Sequence, residues 1–234
     1  MGEAFWFLFG LVAFFSMFLT VAFRLEKRAV CTFGELESAP PFEDATGYAA
    51  RWVREATESG FSFLGWARDS RSATYRLLYA MLVSPDRDIF AVVCVGTMLK
   101  IPFQATWLYT PASNGQTFCS TSNQSGVQID LSGNWKNQLA PAWNFAGLLP
   151  RHQDWLRSLN VIPRPFTRGR EFAEYRTLRE GHFRHMERAG LIRFTDASCT
   201  FFYFTLTGAA RTAISAYFIG IARRLSLGRF PRTA

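Results

Sequence analysis

The sequence predicts an α+β protein with one N-terminal transmembrane helix, an antiparallel meander sheet of about five strands flanked by helices, and a C-terminal helix–hairpin–helix segment. Three observations lead there. Residues 4–23 form an uncharged apolar run; residues 61–131 are rich in β-branched and aromatic residues, broken by turn formers; and helical spacing returns after 145, where the chain turns basic.

The N-terminal run reads AFWFLFGLVAFFSMFLTVAF and lacks any charge, Pro, Asn or Gln. A helix of that length spans about 30 Å, the thickness of a bilayer's hydrocarbon layer. A signal peptide would need a positive leading region and a small-residue cleavage site, but only Glu3 precedes the run and no A-x-A follows it. Arg24, Lys27 and Arg28 come directly after it, opposed by Glu26 alone. Positive charge stays on the cytoplasmic side, so the reading is an inner-membrane protein with its N-terminus outside and its domain in the cytoplasm. Gly10, Ala13, Met17 and Thr20 fall on one narrow arc, a candidate helix-packing face beside the bulky stripe of Phe7, Leu11, Phe14 and Phe18. The alternative is a helix that faces lipid all round.

Residues 29–44, with Pro40-Pro41, read as a linker. A helix follows over 45–59, with Tyr48, Trp52, Val53 and Ala56 on one side and Gly60 placed to terminate it. The strand candidates are SFLGWAR, ATYRLLYAMLV, DIFAVVCVG, FQATWLYT and TFCSTS. Ser84-Pro85-Asp86-Arg87 and Ser113-Asn114-Gly115-Gln116 are tight turns, and connections that short join antiparallel strands. The segment 89–95 is almost wholly apolar and predicts a central strand. Lys100-Ile101-Pro102 breaks the run before the next strand, and residues 128–133 close the sheet region.

A loop is expected around Asn134, Asn137, Pro141 and Asn144, then a helix over 145–159 that covers the sheet with Leu148, Leu149, Trp155, Leu156 and Leu159. Residues 161–170 read as a second, basic linker. A long helix is expected over 170–189, patterned by Phe172, Tyr175, Leu178, Phe183 and Met186 and ended by Gly190. A hairpin around Asp196-Ala197-Ser198 and a last helix over 208–226 complete the chain. The domain reading is therefore an anchor with its basic flank (1–28), a linker (29–44), an α+β domain (45–160) and a basic segment (161–234).

The net charge of +8 is unevenly spread: residues 1–150 hold 11 basic and 12 acidic side chains, residues 151–234 hold 15 and 6. A basic last third predicts an anionic partner surface. In the final helix Ile214, Phe218, Ile221 and Leu225 form an apolar stripe, bracketed by Arg211, Arg223, Arg224, Arg229 and Arg232. That stripe is too short to cross a bilayer; it either packs as core or lies in the membrane interface. With Arg24, Lys27 and Arg28, these arginines are the expected contacts to anionic lipid headgroups or an acidic partner. The expected partners are the lipid bilayer and other membrane-protein subunits. Nucleic acid ranks last: the helix, hairpin and helix of 170–224 resemble the end of a winged helix, but the second helix of a helix-turn-helix is missing and Phe201–Phe204 is too apolar for a solvated wing.

Four dispersed cysteines, Cys31, Cys94, Cys119 and Cys199, contain no C-x-x-C pair and read as free thiols. His182 and His185 are spaced to face one ion, but the neighbouring Arg184 and Arg188 repel cations, so they read as solvated surface residues. Cys94 lies in an apolar strand and His152 on what reads as an exposed helical turn. No phosphate-loop, dinucleotide, nucleophile-elbow or metalloprotease motif is present. No catalytic residue, metal or cofactor is predicted.

Gly60-Phe61 with Leu64-Gly65, Ser84-Pro85-Asp86-Arg87, Thr106-Trp107 with Tyr109-Thr110, Asp130-Leu131-Ser132-Gly133, and His152 with Trp155-Leu156 are words in which the chain resembles an uncharacterised bacterial membrane-anchored α+β domain. The resemblance implies a membrane-tethered α+β module and carries over no functional residues. The function expected is a non-catalytic accessory or scaffold subunit of a larger membrane complex. The alternatives are a membrane-tethered module for a lipid or small apolar ligand, and a membrane-tethered nucleic-acid binder.

Overall fold

The structure, a computed structural model, describes residues 46–68, 75–98, 101–122, 133–195, 199 and 201–212, with isolated positions between 14 and 38. In chain order the described elements are β1 (Arg28–Ala29), α1 (Thr46–Glu58), β2 (Ser62–Arg68), β3 (Tyr75–Val83), β4 (Phe90–Met98), β5 (Ile101–Pro111), β6 (Thr117–Thr121), β7 (Trp135–Leu139), α2 (Phe145–Ser158), α3 (Glu171–Arg188), β8 (Ile192–Phe194) and β9 (Phe201–Phe204). The chain divides into two compact units, Cys31–His182 and Met1–Val30 with Phe183–Ala234.

The first unit is organised by β3 and β4, in which residues 77–83 and 90–95 are all buried. Strands apolar on both faces must be covered on both. Leu78, Ala80, Leu82, Ala91, Val93 and Leu108 meet Trp52 of α1 and Phe145 and Leu148 of α2. On the opposite face Tyr79, Met81, Phe90, Val92 and Tyr109 meet Phe33, Phe166 and Tyr175 of α3. Tyr175 stacks on Phe90 with ring centroids 4.4 Å apart. Burying an aromatic side chain of this kind contributes about 2–3 kcal/mol, so each helix is held chiefly by its few inward rings. Phe33 and Phe166 belong to the segments 29–44 and 161–170, both read as linkers from sequence, and both are buried against the sheet.

The expectation of an antiparallel five-stranded meander needs correcting. The sheet has six strands in the order β2-β3-β4-β5-β6-β7. The first five pair antiparallel, but β7 lies parallel to β6, in the register Thr117↔Trp135 through Thr121↔Leu139. The stretch from Thr121 to Trp135 is long enough for the return that parallel pairing requires. Residues 135–137, expected in a loop, are therefore strand.

At the other end, β2 bulges between Phe63 and Gly65. The bulge shifts the alternation, so Leu64 joins one face and Trp66 the other. Gly65 has φ +145°, and a Cβ there would lie 3.0 Å from Leu36 Cβ and 3.1 Å from the Glu37 carbonyl oxygen. That close approach lets Glu37 exchange two 2.7 Å backbone hydrogen bonds with Trp66, which covers the outer edge of β2. The start of α2 is held by side chains: Asn144 Oδ1 accepts from Gly147 N, and Glu55 Oε2 of α1 accepts from Phe145 N at 2.7 Å.

In the second unit α3 ends at Gly190 (φ +69°), where Leu191 N donates to the Met186 carbonyl. β8 and β9 form the expected hairpin, and β1 adds a third strand in the order β1-β9-β8. Thr205 Oγ1 donates to the Gly190 carbonyl and accepts from Gly208 N, starting a helix over 206–212. A Cβ on Gly208 would overlap the Leu191 carbonyl, so glycine is required there.

Among the described residues no helix is long and apolar enough to cross a membrane. That finding overturns the expected single-pass anchor over 4–23, and with it the inner-membrane placement with an outside N-terminus and a cytoplasmic domain. A span needs about 20 consecutive apolar residues in one helix, whereas α1, α2 and α3 are amphipathic, each with one buried face and many charges. Residues 14, 17, 18, 20, 21, 24 and 25 are helical; most of 4–23 lies outside the described residues, as does the C-terminal stripe at 214–225.

Candidate ligand-binding cleft

Period-2 alternation puts Phe118 and Ser120 of β6 on the face turned to α2, and Lys136 and Gln138 of β7 beside them, because Phe118 pairs in register with Lys136 and Ser120 with Gln138. On α2, His152 and Trp155 are one turn apart. Two adjoining constellations result, one closed and one open.

The closed one is a buried polar network. Thr110, Ser120 and His152 are all 0% exposed. His152 Nδ1 lies 2.6 Å from Ser120 Oγ, and Nε2 lies 3.0 Å from Thr110 Oγ1. Gln138 Nε2 donates to Ser120 Oγ at 2.7 Å. Ser120 Oγ and Thr110 Oγ1 thus flank the two ring nitrogens, and a neutral imidazole satisfies both contacts, one nitrogen donating to a hydroxyl and the other accepting from one. Burial pushes the imidazole down to about 3, since no carboxylate offsets the loss of solvation. The expectation of an exposed His152 is thus corrected. Ser120 and His152 have the spacing of a nucleophile–base pair, yet neither can be reached from solvent and the second ring nitrogen faces a hydroxyl instead of an orienting acid.

The open one is a cleft of about 760 Å³. Its inner wall is Phe118, 5% exposed, in an edge-to-face contact with Trp155 at 5.4 Å and 71°. Its lip is the β5–β6 turn, shaped by Gly115 (φ +82°) and locked by hydrogen bonds from Gln116 N to Asn114 Oδ1 and from Asn114 Nδ2 to Gln116 Oε1. The far side is the chain leaving α2. Asn160 turns it with φ +50°, and Ser113 N donates to the Ile162 carbonyl while Arg164 N donates to the Pro111 carbonyl. This side leaves Leu159 51% and Ile162 72% exposed. Lys136 completes the lining; among the described residues that lining contains no Asp or Glu and Lys136 forms no ion pair. The volume suits a small molecule, and an aromatic wall with a few polar groups is the usual make-up of such sites.

Behind the opposite sheet face, Tyr109 and Cys119 are buried and desolvation raises both well above their ordinary values, which leaves them neutral packing groups. Arg179 lies over the rings of Phe33 and Trp135 at 5.9 and 6.0 Å. His182, read as solvated, is half-buried with its ring 4.6 Å from that of Trp135. Cys94, Cys119 and Cys199 are free thiols.

The residues singled out from sequence do not converge on the cleft. Met17 and Arg24 are exposed, Thr20 is half-buried, Arg28 sits in β1 opposite Phe202, and Arg211 is exposed on the 206–212 helix. Gly10, Ala13, Lys27, Arg223, Arg224, Arg229 and Arg232 lie outside the described residues. Sequence reasoning missed Lys136, Phe118 and Asn114 as cleft residues. The Asn-Gly turn was a visible signal for the lip, but nothing in Trp135-Lys136-Asn137 announced a strand. No protein-family model matches this chain, no curated protein matches its sequence, and no solved structure matches it.

Proposed function

We propose that the chain is a non-catalytic binding module that takes a small, partly apolar molecule in the cleft between β6, β7 and α2. The observation that carries this reading is the Phe118–Trp155 wall facing a solvent-exposed apolar rim at Leu159 and Ile162. Apolar surface held open to water around a concave site is what a ligand covers. The inaccessible His152–Ser120 pair supports the non-catalytic half of the reading: it holds β6, β7 and α2 together behind the cleft and has no route to a substrate. Calorimetric titration with indole tests it. Binding to the wild-type chain that weakens about tenfold in Trp155→Ala is expected. Equal affinity in the two proteins, or no binding, would remove the reading.

A second reading keeps the chain as an accessory subunit of a larger assembly. Phe14, Met17, Phe18, Val21 and Leu25 are helical, spaced i, i+3, i+4, i+7 and i+11, and each is at least half exposed. One apolar face of that kind favours a helix-packing partner. Purification from the source organism with a stoichiometric protein partner is the expected result, and a lone monomer would count against it.

A further inference from the structure

We infer that the ligand of the cleft is an amphipathic carboxylate, a flat apolar body carrying one negative charge, with the charge held by Lys136 and the body against Trp155. The inference rests on the cleft being a binding site. Its own support is the charge pattern of the lining. Among the described residues Lys136 is the one charged side chain of the cleft, and it faces neither an acid in the lining nor an ion-pair partner there. The in-register pairing Phe118↔Lys136 places Lys136 on the strand next to the aromatic wall, and its side chain lines the cleft. A cation next to apolar surface is complementary to an anion on an apolar frame.

The kind of anion follows from the charge count. Among the described lining residues Lys136 supplies one positive charge, which matches a monoanion better than a phosphate dianion. The remaining polar side chains of the described lining are amides, among them Asn160 and Gln116, and the Ser113 hydroxyl; they add neutral hydrogen bonds and no second charge. The Asn114 side chain bonds within the turn through both its atoms, which shapes the lip.

The test compares indole with indole-3-acetate, which differ by one carboxylate arm. Indole-3-acetate is expected to bind about fivefold tighter, the range of a partly exposed ion pair. The advantage shrinks when salt is raised to about 0.5 M. It disappears in Lys136→Gln, to which the two probes bind with equal affinity, and persists in Lys136→Arg. Equal affinities for the two probes, or an advantage that survives Lys136→Gln, would overturn the carboxylate assignment and leave the cleft standing. Failure of both probes to bind would instead overturn the binding-module reading beneath it.

Discussion

His152 Nδ1 and Ser120 Oγ lie 2.6 Å apart, and both residues are 0% exposed. A neutral imidazole fits this arrangement, because one ring nitrogen can donate to a hydroxyl while the other accepts from one. A second ring proton would charge the ring with no solvent to spread that charge. His152 therefore titrates near 6.5 in the unfolded chain and at about 3 in the folded one.

The sign follows from that order. Between the two values the unfolded chain binds a proton that the folded chain refuses, so stability is intact above about pH 6.5 and is lost as pH falls, by up to about 1.4 kcal/mol per pH unit. Urea unfolding at neutral pH and at about pH 4.5 measures the slope. In His152→Gln, which keeps polar atoms in place but cannot titrate, the slope over this window is expected to be shallower than in the wild type. Identical slopes would show that His152 is not the group that senses acid.

Glu55 and Asn144 both serve the first turn of α2, one from α1 and one as its cap. Replacing either with Ala is expected to lower stability by about 1 kcal/mol. Because the two share one helix end, the double variant should deviate from the sum of the singles. Strict additivity would mean that Glu55 acts on α1 alone.

Gly65→Ala would put a methyl group against Leu36 and the Glu37 carbonyl in a backbone conformation that side chains rarely adopt. A loss of about 1–3 kcal/mol is expected. Because the Leu36–Glu37 stretch bridged to Trp66 is what the methyl displaces, proteolysis within 35–38 should speed up as well. An unchanged cleavage rate with reduced stability would place the strain in β2 itself.

Gly208→Ala tests the other unit. Its methyl group would collide with the Leu191 carbonyl, a backbone atom fixed by the hairpin. Thermal unfolding of the variant is expected to start with loss of the β8–β9 region, read by hydrogen exchange at Ile192–Phe194. Unchanged protection there would show that the 206–212 helix moves aside freely.

Some of this was readable in the chain and some was not. β3 and β4 were legible because unbroken apolar strands bounded by a Ser-Pro-Asp-Arg turn have few alternatives. β7 was not, because Trp-Lys-Asn-Gln-Leu has no β-branched residue and its parallel partner is remote in sequence. The polar neighbours Arg151, Gln153 and Asp154 make His152 look exposed in the sequence. Its spacing to Leu148 and Leu156, four residues either way, is the buried stripe of α2 and was the better signal. Phe33 and Phe166 were hidden as single rings in linker-like segments, where burial depends on what they meet and leaves no period. The apolar run at 4–23 has the hydropathy of a span, and most of it lies outside the described residues.

The most direct test of the binding-module account is amide and indole chemical-shift mapping of the whole chain during titration with indole-3-acetate. Saturable shifts gathered at the Trp155 indole, the 113–118 turn and strand, Lys136 and residues 159–162 are the predicted result. Saturable shifts gathered elsewhere, with the cleft unmoved, would contradict it.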